Sequence, residues 1–384
     1  MIDIAILNQL NAPTKEERLA NLKKVLADTV FPPMVPQYIN NHIHTTYSFS
    51  PYSPTAAVYA ARMEGLCTAG IIDHDSISGA EEFLEAAKLV DIPVTVGMEA
   101  RISMDGTRLE GRRTNNPDQV GVSYMTIQSV PHDKIGTLTE FFKPYQQARH
   151  NRNRKMVDNI NELLPQIGLD YDKDVLPLSM AHDNGGVTER HLMYALAIKL
   201  VQSVGKGKAM IEKLESLGLT LSGKQQDQLM DEAYPFYEYD LLGILKSAFV
   251  PKIFIDATDE CPKLPDVVKL CNEIDAYLCY AYLGDVGDSV TGDKKAQKFE
   301  DDYLDDVFEC LKEEGVKSVT YMPTRNTPEQ LTRLRALCDA YGMFQISGED
   351  INSPRQSFVI KAMENPLFQN LIDATWKLIE HEQN

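Results

Sequence analysis

The chain has 384 residues, 43% hydrophobic and 24% charged, an ordinary globular composition with length enough for a large core. Its formal net charge of −18 argues against a general nucleic-acid binder, which needs a basic face for phosphate contacts, whereas a small phosphorylated ligand needs only a local positive site. No apolar run nears the ~20 residues that cross a bilayer, and residues 1–11 show no basic stretch leading into an apolar core, so a cytoplasmic protein with no membrane partner is expected.

Residues 1–37 read as a helical arm, its helix over 16–27 stopped by Phe31-Pro32-Pro33-Met34-Val35-Pro36. A strand over 38–43 follows. Ser53 and Pro54 open a helix as N-cap and first helical residue, and Gly65 ends it. A strand over 66–72 comes next, then a capping box at Ser78-Gly79-Ala80-Glu81 with a helix through residue 90, then a strand over 93–98. From 145 to 249 the pattern turns helical, with helices over 146–164, 188–204, 206–217 and 222–232, the last opened by the capping box Ser222-Gly223-Lys224-Gln225. Strand grammar resumes at 253–255. A helix over 299–314 is stopped by Gly315, a strand covers 316–322, Thr327-Pro328-Glu329-Gln330 boxes a helix ending at Gly342, and a last strand covers 343–347. The charge-rich run 294–306 reads as a solvated helix face. The six cysteines contain no C-x-x-C pair and are expected as buried free thiols. Alternating strands and helices imply parallel βαβ units, and seven or eight of them would close a (β/α) barrel.

The chemistry gathers at strand ends. In His42-Ile43-His44 the alternation of a strand puts both imidazoles on one face, which suits a borderline metal, although H-x-H alone is a weak signal. The strand over 66–72 ends in Asp73-His74-Asp75, the next delivers Glu99, and the last leads into Glu349-Asp350. Parallel strands place all these ends on one face of a barrel, where barrel enzymes carry their sites. Together they point to a divalent-metal centre. Arg325 and Arg355 also fall just past strand ends, where a guanidinium suits a phosphate.

His42-Ile43-His44, Ile72-Asp73-His74-Asp75, Gly97-Met98-Glu99 and Ser347-Gly348-Glu349-Asp350 resemble, in order, the motifs of the polymerase and histidinol phosphatase (PHP) superfamily. The resemblance implies a distorted (β/α)7 barrel and divalent-metal hydrolysis of phosphate esters. The barrel would be assembled from 38–144 and 250–384, with 145–249 as a helical insertion capping the strand ends. That middle is similar to the insertion of PHP phosphoesterases acting on small nucleotides, with Arg152, Arg154 and Arg190-His191-Leu192 as landmarks. The chain departs from the family at four ligand positions, which carry Phe49, Tyr124, Tyr282 and Asn352. A reduced, mononuclear site is therefore expected: one zinc, manganese or iron ion on His42, His44, Glu99 and Asp350. His74 and Asp75 would relay a proton, Arg325 would neutralise phosphate oxygens, and Arg355, His191 and Asn352 would contact a small phosphorylated substrate. A non-catalytic module binding a metal or ligand is the competing reading.

Overall fold

One seven-stranded sheet has a strand order that follows the chain: β1 (Val35–Ile43), β2 (Leu66–His74), β3 (Val94–Ser103), β4 (Val122–Gln128), β5 (Tyr277–Ala281), β6 (Ser318–Tyr321) and β7 (Phe344–Ser347). The computed structural model describes residues 2–286 and 297–383, so residues 294–296 of the charge-rich run lie outside the described residues. β1, β2 and β3 are parallel, as are β5, β6 and β7, while β4 runs antiparallel to both its neighbours. The sheet nearly closes into a barrel. Its last join comes from the loop after β7: His44 N–H donates to Ile351 O at 2.9 Å, and Ile351 N–H donates to His42 O at 3.0 Å.

The antiparallel β4 departs from an all-parallel reading. No helix intervenes between β3 and β4, so the chain turns back along the edge it has just built. The start of β4 therefore lies at the rim where the parallel strands end, with Tyr124 opposite Arg101. The strand expected at 253–255 does not form. Ile253 is the last residue of a helix and packs in a helical core, and three apolar residues are too few for their pattern to separate strand from helix.

Helices α1 (Ile4–Leu10) and α2 (Lys15–Leu26) form the N-terminal arm, and α3 (Pro54–Met63) and α4 (Ala80–Val90) follow β1 and β2. A buried ion pair of Arg18 with Glu82 fastens the arm to α4, and Glu82 also accepts from the Thr55 backbone and hydroxyl. Ser53 caps α3 as expected, whereas α4 starts at Gly79 without a side-chain cap, because Ser78 is drawn into the turn by Ser76 Oγ. After β4 the long α5 (Ile135–Leu163) leaves the barrel. It is followed by α6 (Glu189–Val204), α7 (Lys208–Ser216), α8 (Gly223–Met230) and α9 (Tyr237–Ile253). These helices enclose their own apolar cluster, including Met156, Leu192, Leu196, Leu241 and Ile253, and the barrel loop after β1 contributes Phe49 to it. The remaining helices are α10 (Leu264–Ile274), α11 (Leu304–Glu314), α12 (Pro328–Tyr341) and α13 (Gln369–Glu382). The boxes at Ser222 and Thr327 form as expected. Helix α13 plugs the end of the barrel away from the strand tips, through Glu382 on Val96 N and Ser129 on Leu378 O.

Candidate metal centre

The tips of β1, β2 and β3 and the loop after β7 converge on one cluster. His42 Nε2 lies 3.5 Å and His44 Nε2 4.0 Å from the same Glu99 oxygen, and His74 Nδ1 lies 3.1 Å from it. His44 Nε2 is also 3.1 Å from Asp350 Oδ1. Two overlapping triads result, His42–His44–Asp350 and His44–His74–Glu99, each with ligand atoms within 4.8 Å of one another. Both ring nitrogens of His42 and Nε2 of His44 are buried without a hydrogen-bond partner. Burial alone would push the Glu99 carboxyl up, but the three imidazoles outweigh it and pull it down. His44 is the mirror case: burial lowers it, and Asp350, Glu99 and Asp73 together raise it. The cluster is thus a set of buried lone pairs and anionic oxygens aimed at a common point, which fits a divalent ion of mixed nitrogen and oxygen preference.

Residues 40–220 match the model of the PHP domain family. Over 96 residues it is 33% identical to the error-prone DNA polymerase of Mycobacterium tuberculosis, covering 24% of this chain and 8% of the polymerase. Over 65 residues it is 37% identical to a 5'-3' exoribonuclease of Haemophilus influenzae, covering 17% of this chain and 24% of that protein. The chain therefore spans a quarter or less of the length of these relatives. Among solved structures, a protein of Bifidobacterium adolescentis assigned as a metal-dependent phosphoesterase is similar over 89% of this chain and 98% of its own, with a TM-score of 0.53 and 17% identity. An amidohydrolase from Chromobacterium violaceum with bound sulfate is similar over 88% of this chain and 96% of its own, with a TM-score of 0.52 and 14% identity. At these identities the likeness establishes a shared fold.

Behind the clustered side chains stands Asp73, which accepts from Thr45 N, Thr45 Oγ1 and Ser48 Oγ, each at 2.6 Å. Ser48 Oγ lies 3.3 Å from His44 Nδ1, so Asp73 sets the orientation of that ring through the hydroxyl. Asp73 stood in the sequence beside His74, but nothing in a linear pattern separates a ligand from its support. His74 stacks on His44 with ring centroids 4.6 Å apart and stays partly accessible. Burial lowers its pKa to about 3.

Asp75 does not face the cluster as a free relay. It is buried in a left-handed turn and ion-paired with Arg149 of α5. That pair belongs to a lattice absent from the sequence reading. Glu189 at the start of α6 meets Arg152 at 2.7 Å, Arg149 at 3.0 Å and Arg101 of β3 at 3.3 Å, and Glu260 pairs with Arg101 and Arg152. Burial would push Glu189 up, but Arg149, Arg101 and Arg152 hold it well below the usual carboxylate range. The signal available was that Arg101 shares a strand face with Glu99, and that Arg149 and Arg152 are three residues apart on one helix.

The remaining expected residues fall into two groups. Asn352 is close: its Nδ2 donates to Asp350 Oδ1 at 2.8 Å and Oδ2 at 3.0 Å. Arg325 is half-buried past β6, where one guanidinium nitrogen donates to Leu283 O at 3.2 Å and no ion pair forms among the described residues. Arg355 is consumed elsewhere, bound through two nitrogens to Asp240 of α9 at 2.8 and 2.7 Å and lying over the Tyr234 ring. His191 is buried, its Nδ1 accepting the Thr188 N–H as part of the α6 cap, and burial lowers its pKa to about 3. The other positions that depart from the family are filled by aromatic rings. Phe49 packs among His191, Tyr194 and Tyr239, Tyr124 lies beside His74, and Tyr282 donates to Asp301 at 2.6 Å.

Proposed function

We propose that this PHP domain is a metal-dependent hydrolase, and that its substrate is a small phosphate ester. The observation carrying this reading is the pair of triads sharing His44, with three buried imidazole nitrogens lacking any hydrogen-bond partner. A buried imidazole without a partner is costly, and a bound cation removes the cost. His42, His44, Glu99 and Asp350 are the ligands of one ion in this reading. His74 is no remote support, because its Nδ1 is as close to Glu99 as His44 Nε2 is to Asp350. A divalent ion held there would supply Lewis acidity toward an ester oxygen and toward water. In this reading His74, the accessible ring of the cluster, passes a proton at its outer nitrogen. Arg325 offers unpaired guanidinium donors to phosphoryl oxygens at the rim.

Residues 145–249 act as the cap of the site in this scheme. Gln146 donates to Asp75 O at 2.7 Å, Tyr47 reaches Asp183 at 2.5 Å, and Gly186 N–H donates to Tyr47 O at 2.6 Å. A side chain at Gly186 would collide with the His74 carbonyl, a Cβ there falling 2.2 Å from that oxygen, so glycine lets the insertion lie directly on the β2 tip. A cap of this kind suits a small substrate. An RNA end, the substrate named by the exoribonuclease relative, is the competing choice, and the net charge of −18 weighs against it.

The test is phosphate release from an aryl phosphate and from mononucleotides, with manganese, iron or zinc supplied and elemental analysis alongside. Metal-dependent turnover at about one ion per chain is the expected result. Absence of turnover with every metal overturns the hydrolase reading in favour of a binding module.

A further inference from the structure

Arg190, the second residue of α6, reaches the barrel mouth across the cap boundary. Its Nη1 donates to Asn352 Oδ1 at 2.6 Å, and Nη2 lies 3.4 Å from Asn352 O. Asn352 in turn holds both oxygens of Asp350, whose Oδ1 faces His44 Nε2. One hydrogen-bond relay thus joins the guanidinium to the metal cluster. The other side of the group is fixed by the Phe49 ring, with the guanidinium carbon 5.1 Å from its centroid.

Arg190 lacks a counter-ion within ion-pair distance among the described residues and is linked to the cluster through Asn352. Arg18, Arg101, Arg149 and Arg152 are each buried against a carboxylate, and Arg355 is bound to Asp240. Arg190 makes no ion pair among the described residues, and its Nε is buried without a hydrogen-bond partner. A guanidinium has five N–H donors, and Asn352 takes only two of them. Desolvating a cation without an anion is unfavourable, so a site that keeps one there is complete only when an anion arrives. Arg325 is also unpaired, but it donates to the Leu283 carbonyl and has no link to a metal ligand.

We propose that Arg190 is an anion-binding residue of this site, beside Arg325 at the rim, and that it takes the oxygens of a phosphoryl group held beside the metal cluster. The proposal rests on the phosphoester reading above. Asn352 supplies the positioning, because its amide accepts from Arg190 and donates to Asp350, fixing the spacing between the cation and the metal ligand. Phe49 supplies a flat apolar face that keeps the guanidinium plane from turning.

The experiment is calorimetric titration of inorganic phosphate into the manganese-loaded full chain, for the parent, Arg190→Met and Arg190→Lys. The parent is expected to bind phosphate. Arg190→Met should bind it about tenfold more weakly or worse, with metal content and unfolding midpoint unchanged, as expected for losing hydrogen bonds to a charged group. Arg190→Lys should recover part of the loss. If Arg190→Met fails to fold, Arg190→Lys decides alone, and it should be several-fold weaker than the parent. The proposal is overturned if the parent binds no phosphate, if the variants match the parent, or if Arg190→Met loses its metal, which would make Arg190 a support for Asp350. Phosphate binding through Arg190 without turnover of any ester leaves this site standing and removes the hydrolase reading. Turnover with phosphate affinity and KM unchanged in Arg190→Met does the reverse.

Discussion

Two clusters of buried titratable groups meet at the barrel mouth, and they are built on opposite terms. They are neighbours in the chain: His74 and Glu99 belong to one, Asp75 and Arg101 to the other. The arginine lattice balances its own charge, with Arg101, Arg149 and Arg152 against Asp75, Glu189 and Glu260. Each of these arginines leaves one nitrogen without a hydrogen bond, but none lacks a counter-charge. The histidine cluster balances its charge only in part, leaving both His42 ring nitrogens and His44 Nε2 without a hydrogen-bond partner. Its imidazole nitrogens and carboxylate oxygens crowd one point, where a bound metal ion would satisfy the nitrogen lone pairs and the oxygens together. Burial of charge is therefore no guide to function here. The lattice ties α5 and α6 to β3, whereas the donor atoms of the cluster converge within 4.8 Å of one another.

That contrast can be broken by substitution. The largest effect is expected at Asp350→Ala, which removes the carboxylate of the His42–His44–Asp350 triad. Metal affinity should fall by more than the ~100-fold typical of losing an outer-sphere partner, as read by equilibrium dialysis and elemental analysis. Full metal content in this variant would show that the ligand set is wrong. Glu189→Ala should do the opposite, leaving metal content intact while lowering unfolding free energy by about 3–5 kcal/mol, because three buried arginines lose a shared partner. Denaturant titration measures this, and a change under 1 kcal/mol would mean that the lattice does not hold the cap. Asp73→Asn sharpens the boundary. It keeps the shape but weakens the Ser48 link to His44, so metal affinity should drop by ~10–100-fold with little change in stability. The smallest effect belongs to Arg355→Ala. Its bidentate pair with Asp240, half-exposed on the arginine side, contributes about 1 kcal/mol, and turnover should match the parent; a large loss of rate would return Arg355 to the substrate site.

The residues of the cluster were legible because each announces itself locally. A run of apolar residues ending in His, Asp or Glu is visible as text, and parallel strands gather their ends whatever the loops between them do. His42, His44, His74, Glu99 and Asp350 all fell out of that rule. The support groups did not. Ser48, Thr45 and Asp73 are ordinary residues of a strand end and a loop, and only their mutual distances of 2.6 Å reveal a brace. β4 was missed for a related reason, since an antiparallel strand inside a parallel barrel breaks the rule that every strand is followed by a helix.

The sequence by itself determined the elements with strong local codes: the capped helices at Ser53, Ser222 and Thr327, the strands that carry His42, His74 and Glu99, and the helical block between β4 and β5. Hydrophobic period and capping chemistry act over a few residues, so they can be read in order along the chain. The tertiary structure alone decided which arginine is free. Arg355 and Arg190 look alike as text, both on the chain near a strand-end motif or a helix start. Asp240, 115 residues away from Arg355, neutralises one, while Asn352, 162 residues away from Arg190, positions the other without cancelling its charge. Pairing of charges is a matter of distance in space, and no local pattern encodes it.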